Sequence, residues 1–174
     1  MSMHKPSVAM LVTLVISTAA AEESPNLGQA LDAETIARVD YAVLPNGDGL
    51  PEGSGTAVSG ATVYRQNCMA CHGEGGKEGI NDRLVGGHDS LASERSVKTV
   101  GSFWPYATTI FDYLRRAMPY QTPGTLSNDE LYAVTAYLLY INGIIGERDI
   151  IDAESLPRVE MPNREGFVWD YAPE

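Results

Sequence analysis

The chain has 174 residues, with 12 basic against 23 acidic side chains and a formal net charge of −11. That length suits one domain with tails and is short for two. The acidic balance argues against a nucleic-acid or anionic-membrane partner, and it permits a partner with a basic docking patch.

Residues 1–21 read as a secretory signal peptide. Lys5 supplies the positive n-region, Val8 to Ala20 is mostly apolar, and Ala19-Ala20-Ala21 fits the A-x-A cleavage rule. The apolar stretch is short for a membrane span, which needs roughly 20 residues, although an uncleaved anchor is the other reading. Cleavage near Glu22 removes only Lys5 from the charged set. Eleven basic residues then face 23 acidic ones, for a mature charge of −12. No membrane span is expected in the mature chain.

Residues 22–56 are expected to form an extended arm, because Pro45-Asn46-Gly47-Asp48-Gly49-Leu50-Pro51 and its neighbours are turn formers. A short helix from Asp32 to Arg38 interrupts it, with Asp32 as N-cap and Glu34 in the first turn. A second helix is predicted from an N-cap at Ser59 to about Ala70, carrying Ala61, Tyr64 and Cys68 at helical spacing.

That helix ends on Cys68-Met69-Ala70-Cys71-His72, a Cys-x-x-Cys-His attachment site for c-type haem. The two thiols can add to the haem vinyl groups as thioethers, which places His72 under the iron. The chain has only these two cysteines. A disulfide between them would close too small a loop to remove much chain entropy. A zinc site would need further ligands, yet His88 is the only other histidine after the signal. One covalently attached haem c is the expectation.

Gly73 to Gly87 reads as a glycine-rich loop, and a short helix is expected from Ser90 to Lys98. Ser102-Phe103-Trp104-Pro105 opens the next helix, with Pro105 in its first turn. Ile110, Phe111 and Leu114 make its apolar stripe, Arg115 and Arg116 occupy its last turn, and Met118-Pro119 ends it. Ser127-Asn128-Asp129-Glu130 is a capping box. The helix after it has Leu131, Val134, Leu138 and Ile141 on one face and stops at Asn142-Gly143. Residues 146–174 read as an extended tail, because Pro157, Pro162 and Pro173 interrupt any helix there. The fold class is all-α: a helical haem domain over 57–145 between two arms.

A haem that only passes electrons needs a ligand on each face. The candidates opposite His72 are Met69, Met118, Met161 and His88. Met69 lies inside the attachment motif and cannot reach the far face. Met118 is favoured, because it leaves an amphipathic helix in an extended form before a proline that has no N–H to satisfy. His88, Met161 or an open position remain the alternatives. His72/Met118 ligation would raise the reduction potential relative to two histidines and close the iron to oxygen. Trp104, Tyr106, Arg115 and Arg116 are candidates for the haem propionates.

The stretches Cys68-Met69-Ala70-Cys71-His72-Gly73, Leu84-Val85-Gly86-Gly87 and Met118-Pro119, with the helix after Ser127, resemble the class I c-type cytochromes. The resemblance implies a cytochrome c-like fold whose first and last helices cross near the haem, with Gly60 and Tyr64 on one and Tyr137 on the other. Val97 to Thr109, Phe111 to Pro119, the arm Asp40 to Gly55 and the tail Leu156 to Phe167 are similar to the haem subunits of bacterial sulfite and sulfur dehydrogenases.

This narrower resemblance implies a periplasmic, single-haem electron-transfer subunit that is not itself the enzyme. It would accept electrons from a molybdenum-containing subunit that oxidises a sulfur compound and pass them to a downstream cytochrome. One departure stands out. Members of the wider family commonly place a proline before Leu-Val-Gly-Gly, and its carbonyl orients the proximal histidine. Asp82 stands at that place, so His72 Nδ1 is expected to need another acceptor. A free-standing soluble carrier, and a haem enzyme or gas sensor with an open iron, are the alternative readings.

Overall fold

A computed structural model describes residues 27–168 and 170, in two units divided between Arg38 and Val39. The expected signal peptide, residues 1–21, lies outside the described residues. The helix expected from Asp32 is present as α1, Ala33–Val39. Asp32 Oδ1 accepts the Thr35 amide at 2.7 Å, which satisfies one of the unpaired donors at a helix start.

The second unit is built on α2 (Ala57–Asn67), the single turn α3 (Met69–His72), the short α4 (Val100–Phe103), α5 (Ala107–Ala117) and α6 (Asn128–Ile141). The described strands are β1 (Ser54–Gly55) and β2 (Ile151–Asp152), two residues each and paired antiparallel. The fold is therefore all-α, and no described helix is long and apolar enough to cross a membrane.

Helix α2 crosses α6 at the place expected from Gly60, Tyr64 and Tyr137. A Cβ on Gly60 would stand 1.9 Å from the Ala133 carbonyl oxygen, so only glycine allows the backbones this close. Tyr64 and Tyr137 meet one turn on, with ring centroids 5.0 Å apart. Helix α5 packs its stripe of Ile110, Phe111 and Leu114 inward as expected, and Phe111 meets Tyr132 of α6 at 4.6 Å. Such an aromatic pair adds about 0.5–1.5 kcal/mol beyond the area it buries. The capping box at Ser127 and Glu130 starts α6 as expected. That helix is buried more widely than one stripe, since every residue from Leu131 to Ala136 is inside.

Three local expectations are corrected. Helix α2 is capped by Thr56, not Ser59. Ser59 is its N3 residue, and its Oγ accepts the Thr56 amide in return, completing a reciprocal box. The stretch from Ser90 to Lys98 is turns rather than helix. There Ser90 Oγ accepts the Val97 amide at 2.9 Å and donates to the Gly87 carbonyl at 2.6 Å, so the side chain takes the backbone away from helical bonding. Pro105 does not open α5. A capping box of Thr99 and Ser102 makes the separate α4, Trp104 is extended, and α5 begins after Tyr106.

Apart from β1, β2 and a 3-10 turn at Leu156–Arg158, residues 40–56 and 146–168 are irregular, and several of their residues pack on the helices of their own unit. Val43 is buried, and its amide donates to the buried Asp112 carboxylate at 3.0 Å. Tyr132 Oη donates to the Pro51 carbonyl at 2.8 Å. Ile151, Leu156 and Met161 enter the core, and Asn163 Nδ2 donates to the Phe103 carbonyl at 2.7 Å.

Candidate functional site

Helix α2 breaks at Cys68, whose φ/ψ of −122°/−37° ends the 3.6-residue register. The next turn, α3, holds the attachment motif apart from α2. Gly73 then reverses the chain with φ +77°, where an added Cβ would stand 1.7 Å from the Lys77 carbonyl oxygen. Tyr64 Oη reaches across to donate to the Gly73 carbonyl at 2.8 Å, which anchors the motif to the helix crossing. Burial, and next the Cys68 thiol, push Tyr64 up to about 12, so it stays a protonated donor at neutral pH.

Cys68, Cys71, His72 and Met118 line one cleft of about 480 Å³, within the roughly 300–1,000 Å³ usual for ligand pockets. Ile110 and Leu114 of α5 and Leu138 of α6 supply apolar wall. Met118 is the C-cap of α5: its amide still donates to the Leu114 carbonyl at 3.1 Å while its φ/ψ of −126°/145° is already extended. The predicted departure from the helix is therefore realised. Burial, and then the neighbouring Cys71, push the Cys68 thiol up to about 11, so the free thiol is protonated at neutral pH.

His72 Nδ1 lies 2.8 Å from the Asp82 carbonyl oxygen. A carbonyl can only accept, so Nδ1 carries a proton, and the matching neutral tautomer is the one whose lone pair is on Nε2. This corrects the expectation that the missing proline would send His72 to another acceptor. The bond needs a main-chain carbonyl at that place, and Asp82 provides one as a proline would. The donor set fits a c-type haem: two thiols, an oriented imidazole and a thioether around one mostly apolar cleft.

The rival ligands are elsewhere. Met161 is 3% exposed within the core, His88 is on the surface, and neither lines the cleft. The arginines proposed for the propionates are engaged on the far face of α5. Arg115 donates to the Tyr41 carbonyl at 3.2 Å, and Arg116 pairs with Asp112. Tyr106 lies under Arg164, 4.7 Å from its ring centroid, and is not in the cleft wall. Trp104 does line the cleft, braced edge-on by Tyr113.

Sequence reasoning missed the cations that line the cleft, Arg83 and Lys98. It also took Asn142 for a helix stop alone. Asn142 is buried, its Nδ2 donates to the Leu138 and Leu84 carbonyls at 2.8 and 3.1 Å, and its Oδ1 accepts the Gly86 amide at 3.3 Å. It thereby ties the end of α6 to the loop that supplies the Asp82 carbonyl. No local pattern marks that role, because its loop partners, Gly86 and Leu84, are 56 and 58 residues away.

A family model described as cytochrome c oxidase, cbb3-type, subunit III matches residues 55–138. Among curated proteins, none matches the chain. A solved structure, the sulfane dehydrogenase SoxCD from Paracoccus pantotrophus, contains a chain 43% identical to this one, with a TM-score of 0.77. The alignment covers 84% of this chain and 73% of that one. With its helices, its cleft and these similarities in accord, the chain belongs to the class I c-type cytochromes, haem c proteins that transfer electrons, and resembles the cytochrome subunits of bacterial sulfite and sulfur dehydrogenases.

Proposed function

We propose that this chain is the periplasmic, single-haem electron-transfer subunit of a molybdenum-containing sulfite or sulfur dehydrogenase. In this reading Cys68 and Cys71 would hold the haem as thioethers, and His72 and Met118 would ligate its iron. The partner subunit performs the sulfur chemistry, and a downstream cytochrome takes the electron. The boundaries follow the sequence reading: a signal peptide over 1–21, a haem domain over 57–145, and flanking segments that cover it.

The observation that carries the reading is the single cleft shared by the attachment motif on α3 and Met118 at the end of α5. The 43% identity to a chain of a sulfane dehydrogenase supports the choice of partner.

The bound haem would supply an iron that cycles between ferrous and ferric. The chain's residues tune and shelter it. Asp82 fixes the tautomer and ring plane of His72 and raises its basicity as a ligand. A thioether at Met118 favours the reduced iron, and Ile110, Leu114 and Leu138 keep water from the cleft wall. The flanking segments give no separate argument for a partner, because from residue 39 onward they cover the chain's own helices.

The test mixes the purified haem-loaded protein with sulfite or a sulfane donor and follows haem reduction by absorbance. Rapid reduction only after a co-purified molybdenum subunit is added is expected. Equal reduction by the isolated chain would move the chemistry onto this subunit. Reduction by neither mixture would favour a free-standing carrier.

A further inference from the structure

Asp112 is a buried carboxylate that the proposed electron path does not use. It sits on α5, six residues before Met118, and its surroundings are unusually specific. Oδ1 accepts the Val43 amide at 3.0 Å, and Oδ2 accepts from Arg116. One turn on, Arg115 donates to the Tyr41 carbonyl at 3.2 Å and covers the Tyr41 ring. One turn back, Thr108 Oγ1 donates to the Pro45 carbonyl at 3.3 Å. Residues 108, 112 and 115 repeat at helical spacing on one face of α5. The cleft residues Ile110, Leu114 and Met118 occupy the opposite side.

We infer that Asp112 is a positioning residue: it latches the strap of residues 41–45 to α5 and so holds the Met118 end of that helix against the cleft. This rests on Met118 being an axial ligand. The last helical bond of α5 is the one from the Met118 amide to the Leu114 carbonyl, and helix ends open first. With the strap seated, that end is clamped from behind by the Asp112 and Arg115 bonds. Without the latch, the Val43 amide loses its seat, the strap is left on the Arg115 and Thr108 bonds, and the final turn opens more often, taking Met118 with it. An apolar side chain at 112 would fill the space, yet it would leave the strap amide without an acceptor.

Imidazole added to the ferric haem-loaded protein competes with Met118 for the iron, so its apparent affinity reads how often Met118 is away. Asp112→Ala should bind imidazole about ten-fold more tightly than wild type, because the binding-competent population rises by that factor. Asp112→Asn keeps an oxygen acceptor for Val43 and should fall between the two. Met118→Ala sets the upper limit. The helical signal at the titration temperature checks that each variant is folded, and Asp112→Asn carries the test if Asp112→Ala is not.

A merely structural role would lower the thermal midpoint and leave imidazole affinity at 25 °C unmoved. Wild-type affinity in both Asp112 variants overturns the latch. If wild type already binds as tightly as Met118→Ala, the ligand assignment itself fails, and the latch falls with it.

Discussion

Residues 57–142 bury side chain against side chain, whereas residues 41–54 lend the same core mainly their backbone. In the first region Tyr64 meets Tyr137, Phe111 meets Tyr132, and Gly60 lets two helix backbones touch. In the second, main-chain groups of Tyr41, Val43, Pro45, Pro51, Glu52 and Ser54 are met by polar side chains of Arg115, Asp112, Thr108, Tyr132, Asn128 and Asp129. The helices thus provide for this longer strap, residues 41–54, what a neighbouring strand would provide in a sheet. The core should respond mainly to volume, and the strap to single hydrogen-bonding atoms.

The sharpest way to break the core side of that contrast is Gly60→Val. Its Cβ alone would overlap the Ala133 carbonyl and approach Tyr137 Cβ at 2.8 Å, so α2 and α6 must part. We expect a loss of about 3 kcal/mol or more, read as a lower urea midpoint and a lower yield of haem-loaded protein. An unchanged midpoint would show that the crossing has slack and that packing is not what joins these helices.

Tyr132→Phe probes the strap side with almost no change in volume. The ring still packs on Phe111, while the bond to the Pro51 carbonyl is lost. Burial, and then Asp152, push this hydroxyl up to about 12, so in wild type it is a protonated donor across the working pH range. The expected global cost is about 1 kcal/mol. Hydrogen exchange should quicken in residues 43–55 before it does in α2 or α6. Uniform quickening across both regions would mean that strap and core open as one unit.

The same contrast explains what could be read in advance. The attachment motif, the Ser127–Glu130 box and the stripe on α5 are local or periodic, and each was legible from its own neighbourhood, whereas the Gly60 crossing came only from the resemblance to the class I c-type cytochromes. The strap was not. Its partners lie 63 to 81 residues away along the chain, and Asp112 looks like any solvated helix charge until Val43 is seated on it. The Asp82 carbonyl was missed for another reason. A main-chain acceptor has no residue signature, so the absent proline suggested a loss that the backbone makes good. The arginine pair near Met118 misled because helical phase, not closeness in sequence, decides which side of α5 faces the cleft.

Acid gives the mildest comparison, between a carboxylate of the helical core and one of the C-terminal flanking segment, each held by the amide and hydroxyl of one serine. Glu130 accepts the Ser127 amide at 2.8 Å, and the Ser127 hydroxyl adds a second bond, which together hold its carboxyl below the ordinary value of 4.5. In the flanking segment Asp152 accepts the Ser155 amide and hydroxyl, both at 2.8 Å, and is held below its ordinary 3.8. A carboxyl lowered in the folded state contributes stability that is complete above its unfolded value and fades as pH falls through its folded value. Acidification from about pH 5 to pH 3 should therefore shrink the gap in urea midpoint between wild type and Glu130→Gln, and likewise for Asp152→Asn. The two variants should differ in where they act. Glu130→Gln weakens the start of α6, at the centre of the core, and should lower the global midpoint. Asp152→Asn loosens the turn after β2 and should first raise exchange near residues 151–158. If both gaps stay constant with pH, the two carboxylates are not held by these bonds.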